Sequence, residues 1–287
     1  MKEIIIDKDY IKARIHQWGD KENPTIICFH GLGGTSLSFI ELGYLLRKEY
    51  NVIAIDLPGH GKMPAFEREE DYEMPNMVTW IDKVISTITE KKFYLLGHSY
   101  GADIALYYLY TYPSKVIKTM LLDGGYYLKK EWYDYQTSIL GNISSLQREI
   151  DYYIQDFDDY CFDSVEEHIE VEKSNYIRWS NLLEEASKDL VQIEKGKYRW
   201  HANGVTAKAA IKSMYNCPPS SIYEKLPKSI YLLQSTLPNS MNEYRNNFAE
   251  NFSKCTDSEL KRIEEAGHLI HWDKPNEVVK EIIDWFK

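Results

Sequence analysis

Acyl transfer by an enzyme needs a nucleophile, a base within hydrogen-bond reach of it, and donors aimed where the oxyanion develops. Ser99 is the candidate nucleophile. It sits in Gly97-His98-Ser99-Tyr100-Gly101, which fits G-x-S-x-G and directly follows the apolar run Phe93-Tyr94-Leu95-Leu96. Ala102, Ala105, Leu106 and Leu109 then fall at helical spacing. Strand, abrupt turn and helix form the context of a nucleophile elbow, where neighbouring chain presses close and glycine leaves room for it. A plain glycine-bounded turn with an inert serine carries the same letters; the flanking strand and helix favour the elbow.

The base must come from eight histidines: His16, His30, His60, His98, His168, His201, His268 and His271. His98 adjoins the nucleophile, and its backbone is expected to turn it away from the same pocket. His268 follows Ala266-Gly267 in a loop between the last expected strand and the last helix. That place suits the chain order nucleophile, acid, histidine. His271 is expected to be structural. For the oxyanion donors, the glycine-rich loop His30-Gly31-Leu32-Gly33-Gly34 ends a buried strand and can expose backbone amides toward Ser99. The N–H groups of Leu32 and Tyr100 are assigned to this role. Losing one such donor typically costs roughly 10²–10³ in rate.

The elements that must position these residues follow from periodicity. Glu3–Ile6 and Tyr10–Gln17 read as a β-ribbon, the second segment alternating Ile11, Ala13 and Ile15 against Lys12, Arg14 and His16 as a half-exposed antiparallel strand. Thr25–Phe29, Asn51–Ile55, Phe93–Leu96 and Val116–Leu122 are predominantly apolar, as strands covered on both faces are. Helical patterns over Ser38–Lys48, Asn76–Thr89 and the segment after Ser99 separate them. This alternation predicts an α/β fold with a parallel sheet and helices on both faces. The pattern breaks over 127–223. That stretch lacks a clear buried strand, is dense in tyrosine and tryptophan, and has 16 Asp and Glu against 11 Lys and Arg, a local net charge of −5. Ser144-Ser145-Leu146-Gln147 and Ser164-Val165-Glu166-Glu167 both fit a capping box. A helical lid inserted into the core is expected there, dividing the chain into core (1–126), insertion (127–223) and core (224–287). The alternation resumes with Ser229–Gln234, a helix over Met241–Phe252, a strand over Ser258–Glu264, and a terminal helix opened by Pro275.

These motifs together resemble the α/β-hydrolase superfamily. The resemblance rests on His30-Gly31-Leu32-Gly33-Gly34, Asp56-Leu57-Pro58-Gly59-His60-Gly61, Gly97-His98-Ser99-Tyr100-Gly101 and Gly267-His268 with Pro275 behind it. They stand in the family's order over residues 25 to 287. The resemblance implies a mostly parallel eight-stranded sheet flanked by helices, with a helical cap where the insertion lies. Many members carry the acid in the loop after the penultimate strand, but Gln234–Asn242 contains no carboxylate here. The superfamily's alternative position is the end of the strand after the nucleophile helix. Asp123 stands there, 24 residues after Ser99, similar to haloalkane dehalogenases. Asp123 is therefore expected to orient His268, with Glu243 as the fallback. Aspartate-nucleophile activities are unlike this chain, because Ser99 occupies the elbow.

The leading expectation is a serine hydrolase cleaving a small-molecule ester, thioester or lactone through an acyl-enzyme. The alternatives are a small-molecule receptor with a slow triad, a carbon–carbon bond hydrolase or cofactor-free perhydrolase, and an inactive scaffold. No metal or organic cofactor is implied. The net charge of −10 and pI near 5.4 disfavour a nucleic-acid surface. No apolar stretch is long enough to span a membrane. Four scattered cysteines and an N-terminus without an apolar leader lead to the expectation of a cytoplasmic protein. Oligomeric state is open.

Overall fold

The structure, a computed structural model, describes residues 1–8, 11–138, 141 and 144–287. Tyr10, expected to open the second strand, lies outside the described residues. In chain order the first half runs β1 (Lys2–Lys8), β2 (Ile11–Trp18), β3 (Thr25–Phe29), α1 (Ile40–Leu46), β4 (Asn51–Ile55), α2 (Met74–Ser86), β5 (Phe93–His98), α3 (Tyr100–Thr111) and β6 (Val116–Leu122). An inserted segment then contributes α4 (Lys129–Ser138), α5 (Leu146–Asp159), β7 (Cys161–Phe162), α6 (Val165–Asn175), α7 (Asn181–Lys188), β8 (Val191–Glu194), β9 (Lys197–Trp200) and α8 (Gly204–Asn216). The chain closes with β10 (Ile230–Ser235), α9 (Asn242–Thr256), β11 (Glu259–Ile263), α10 (Ile270–Asp273) and α11 (Pro275–Phe286).

Eight strands form one sheet in the order β1-β2-β4-β3-β5-β6-β10-β11. Only the β1–β2 and β2–β4 pairings are antiparallel; the other five are parallel. Apolar clusters cover both faces. Ile27, Phe29, Leu95 and Leu121 pack on the side of α2 and α3, whereas Ile26, Cys28, Leu96 and Leu122 pack on the side of α1 and α11. Strands that bury alternate side chains against opposite helical layers are apolar wherever both faces are covered, which explains the largely apolar runs; β6 departs from this near its start, at exposed Ile117 and half-buried Lys118.

Three expectations need correction. The insertion is not purely helical: β7, β9 and β8 form a small antiparallel sheet. These strands are two to four residues long and half-exposed or exposed, so they lack the apolar run that marks the core strands. The polar face of β2 is exposed only at Lys12. Arg14 and His16 are buried, because Arg14 pairs with Asp56 (3.1 Å) and with Asp189 of the insertion (2.6 Å), and His16 Nδ1 meets Ser36 Oγ at 2.7 Å. The first capping box is shifted by one residue. Ser145, not Ser144, is the N-cap of α5 and accepts from the Arg148 N–H, while the Ser164 cap of α6 stands as expected.

Candidate active site

Ser99 sits between β5 and α3 with φ 53° and ψ −121°, a conformation that a non-glycine residue adopts only when its surroundings enforce it. The surroundings are tight. A Cβ on Gly97 would lie 2.4 Å from the Gly101 carbonyl oxygen, and one on Gly101 would lie 2.1 Å from that of Phe29. The α3 helix can therefore press against β3 and β5 only with glycine at both positions. The turn carries Ser99 Oγ to 2.8 Å from His268 Nε2. His268 Nδ1 lies 2.7 Å from Asp123 Oδ2. With Nδ1–H donating to the carboxylate, Nε2 is left to accept the Ser99 hydroxyl proton. Ser99, His268 and Asp123 are thus brought together in one hydrogen-bonded chain.

Asp123 adopts φ 46°, a left-handed conformation that Asp tolerates better than most residues. Its side chain is only 2% exposed. Oδ1 accepts from the Ser235 N–H (3.0 Å) and the Tyr126 hydroxyl (2.8 Å), and Oδ2 accepts from Ser235 Oγ (2.7 Å). Burial pushes the carboxyl upward, but the hydrogen bond and charge of His268 and the two Ser235 donors outweigh it and hold it below its ordinary value. Glu243, the fallback, is exposed on the first turn of α9 and makes no hydrogen bond to His268.

Beneath His268 lie two buried histidines. His98 Nε2–H donates to the His268 carbonyl at 2.9 Å, and its ring centroid is 4.8 Å from those of both His268 and His271. His98 was expected to turn away from the pocket; it contributes instead to the cleft floor, without bonding Ser99. Burial, reinforced by repulsion from His271 and His268, keeps His98 neutral. His271 is structural, as expected. It hydrogen-bonds Ser38 Oγ at 3.1 Å, and burial pushes it down to about 3. The ring above thus rests on dipoles and not on charges.

The loop after β3 is pinned from within. His30 Nδ1–H donates to the Gly31 carbonyl (2.8 Å), and its Nε2 accepts the Leu57 N–H (3.0 Å). Asp56 takes the Ser36 N–H (2.7 Å), Ser36 Oγ (2.6 Å) and the Lys62 N–H (3.2 Å). The Asp56–Gly61 motif therefore fixes the loop that carries Leu32. Leu32 and Tyr100 both line the cleft beside Ser99. Neither amide has an acceptor among the described residues.

The cleft has two lobes that meet at Leu32, Ser99 and His268. One holds about 190 Å³ and is walled by Tyr176, Ala186, Leu190, Trp200, Leu269 and Trp272. The other holds about 290 Å³ and includes Asp103, Tyr127, Lys129, Glu149, Tyr153 and Arg245. Among the described residues, no group of three or more His, Cys, Asp or Glu side chains is arranged to hold a metal ion. No helix there is long and apolar enough to cross a membrane.

The family model described as alpha/beta hydrolase fold matches residues 24–275. The chain belongs to the alpha/beta hydrolase fold family. Within that family it is similar to the human serine hydrolase-like protein, at 31% identity over 111 residues, a match spanning 39% of this chain and 55% of that protein. The chain thus matches about half the length of this curated relative. Among solved structures it superposes on a thioesterase domain from the curacin biosynthetic pathway with a TM-score of 0.78, at 20% identity and 99% coverage of both chains. It superposes equally on E-2-(acetamidomethylene)succinate hydrolase, at TM-score 0.78 and 18% identity, covering 99% of this chain and 98% of that one. At such identities these two likenesses establish the fold.

Sequence reasoning missed Ser235, Tyr126 and His98. Ser235 reaches Asp123 because β10 pairs with β6 in parallel and the Asp123 N–H bonds the Leu233 carbonyl at 2.8 Å. Strand order is needed to see that, and local periodicity does not contain it.

Proposed function

We propose that this α/β hydrolase is a serine hydrolase that cleaves a small-molecule ester through an acyl-enzyme on Ser99. The observation that carries the reading is the unbroken chain from Ser99 Oγ to His268 to the buried Asp123, at 2.8 and 2.7 Å. His268 Nε2 takes the hydroxyl proton as Oγ bonds the carbonyl carbon, and the Leu32 and Tyr100 amides donate to the oxyanion. Collapse of the tetrahedral adduct breaks the ester C–O bond, and His268 returns the proton to the departing alkoxide. Water then attacks the acyl-enzyme, giving a proton to His268. The carboxylic acid leaves as Ser99 Oγ regains that proton. Asp123 orients the imidazole and stabilises its cation.

The insertion at 127–223 acts as a cap. Its Trp200 donates to the Gly33 carbonyl at 2.8 Å, Arg178 donates to the Trp272 carbonyl at 2.8 Å, and Ser180 Oγ donates to Glu41 at 2.7 Å. Anchored this way, it walls the cleft and excludes water. Asp123 within reach of His268 supports an enzyme over an inactive scaffold.

The test is turnover of p-nitrophenyl acetate by the wild type and by Ser99→Ala. The expected result is a burst of p-nitrophenol stoichiometric with wild-type enzyme, followed by steady turnover, with neither in the variant. Negligible wild-type turnover would favour a ligand-sensing receptor.

A further inference from the structure

In the larger lobe of the cleft, Arg245 is a cation without a counter-ion among the described residues. It is only 5% exposed. Among the described residues no carboxylate lies within 4 Å of its guanidinium, and its Nε has no hydrogen-bond acceptor. Among those residues its one hydrogen bond is a long contact from Nη1 to the Pro238 carbonyl at 3.4 Å. Arg245 also sits near the start of α9, whose N-terminus has no side-chain cap. The dipole of α9 already favours negative charge there. A buried guanidinium in that place is costly unless an anion completes it.

The acids of the lobe are each engaged elsewhere. Glu149 is paired with Lys129 at 2.5 Å and also accepts from the Tyr133 hydroxyl. Asp123 is held by His268, Ser235 and Tyr126. Asp103 accepts from the Gly125 N–H at 3.1 Å, and burial pushes its carboxyl up to about 7, toward its neutral form. The same lobe is lined by Ser99 and His268. An anion at Arg245 would therefore belong to a molecule that also reaches the nucleophile.

We propose that this lobe recognises a free carboxylate on the substrate through Arg245, so that the preferred substrates are hemi-esters of short dicarboxylic acids. The proposal rests on the reading of Ser99 as the nucleophile and narrows its substrate class. Arg245 supplies charge and a planar donor fork that matches a carboxylate.

The test compares kcat/KM for mono-p-nitrophenyl glutarate and for p-nitrophenyl valerate, its uncharged counterpart of equal chain length. The wild type is expected to prefer the glutarate ester by roughly 10- to 100-fold, the scale of a hydrogen bond to a charged group. In Arg245→Gln the ratio falls toward one, and Arg245→Lys restores part of it. Equal wild-type values, or a ratio unchanged in Arg245→Gln, overturn the proposal while leaving the acyl-enzyme reading intact. Calorimetric binding of glutarate separates the two failures. If neither ester turns over and a fluorophosphonate leaves Ser99 unlabelled, the acyl-enzyme reading falls. Glutarate binding that is lost in Arg245→Gln still supports the anion site, and absence of binding to the wild type overturns it. Should Arg245→Gln fail to fold, the wild-type ratio and wild-type glutarate binding decide.

Discussion

One lobe of the cleft is built from Tyr176, Ala186, Leu190, Trp200, Leu269 and Trp272; the other carries Asp103, Lys129, Glu149 and Arg245. Both open on the same Ser99 and His268. The apolar walls gain stability by leaving water, at about 25 cal/mol per Å². The charged walls lose solvation and recover it only through partners. Lys129 and Glu149 provide each other's partner, and Arg245 has no carboxylate partner among the described residues. The difference teaches where function resides. On the proposed function, Ser99 and His268, which both lobes share, do the chemistry with Tyr100 and Asp123 beside them, and the remaining walls choose what is brought to it.

That division can be broken at graded cost. Asp123→Asn removes the acceptor that sets the His268 tautomer, and it acts upstream of both lobes. Turnover of charged and uncharged esters alike should fall by about 10³–10⁴, while Glu243→Gln leaves both unchanged in steady-state assays. A loss with Glu243→Gln and not with Asp123→Asn would move the acid to α9. The Arg245→Gln ratio described above comes next in size and should touch only the charged ester.

Asp103 bears on stability and not on the chemistry, and it acts through protonation. Its folded-state carboxyl is raised from 3.8 to about 7. Between these values the folded protein holds a proton that the unfolded chain has released, so rising pH favours unfolding. The contribution is lost across roughly pH 4 to 7 and is flat above that, amounting to a few kcal/mol at about 1.4 kcal/mol per unit. Asp103→Asn should show a shallower fall in stability over this window by urea unfolding. Parallel profiles for the variant and the wild type would refute the assignment.

The core was legible in the sequence because each of its parts is local. Four apolar runs, the elbow glycines and the His30–Gly34 loop are read within a few residues of themselves, and the structure places β3, β4 and β6 at the expected bounds. Asp123 was legible through an absence, the lack of a carboxylate in 234–242, combined with the family's second acid position. Contacts between distant segments were not legible. Arg14 alternates like an exposed strand residue, yet Asp189 covers it from 175 positions away. The β8–β9 hairpin did carry a local signal. Lys195 and Gly196 form its turn, both with positive φ, and Val191, Ile193, Tyr198 and Trp200 alternate around it. Its polar composition hid it among the helices. The histidine floor beneath His268 needed the folded chain, because His98 and His271 are neighbours only once β5 and α10 meet.

The most direct measurement is fluorophosphonate labelling followed by peptide mass spectrometry on the wild type, Ser99→Ala and Asp123→Asn. A single adduct on the peptide containing Ser99 is expected in the wild type, with slower labelling in Asp123→Asn and none in Ser99→Ala. Equal labelling of the wild type and Ser99→Ala, or an adduct on another residue, would contradict the assignment of Ser99 as the nucleophile.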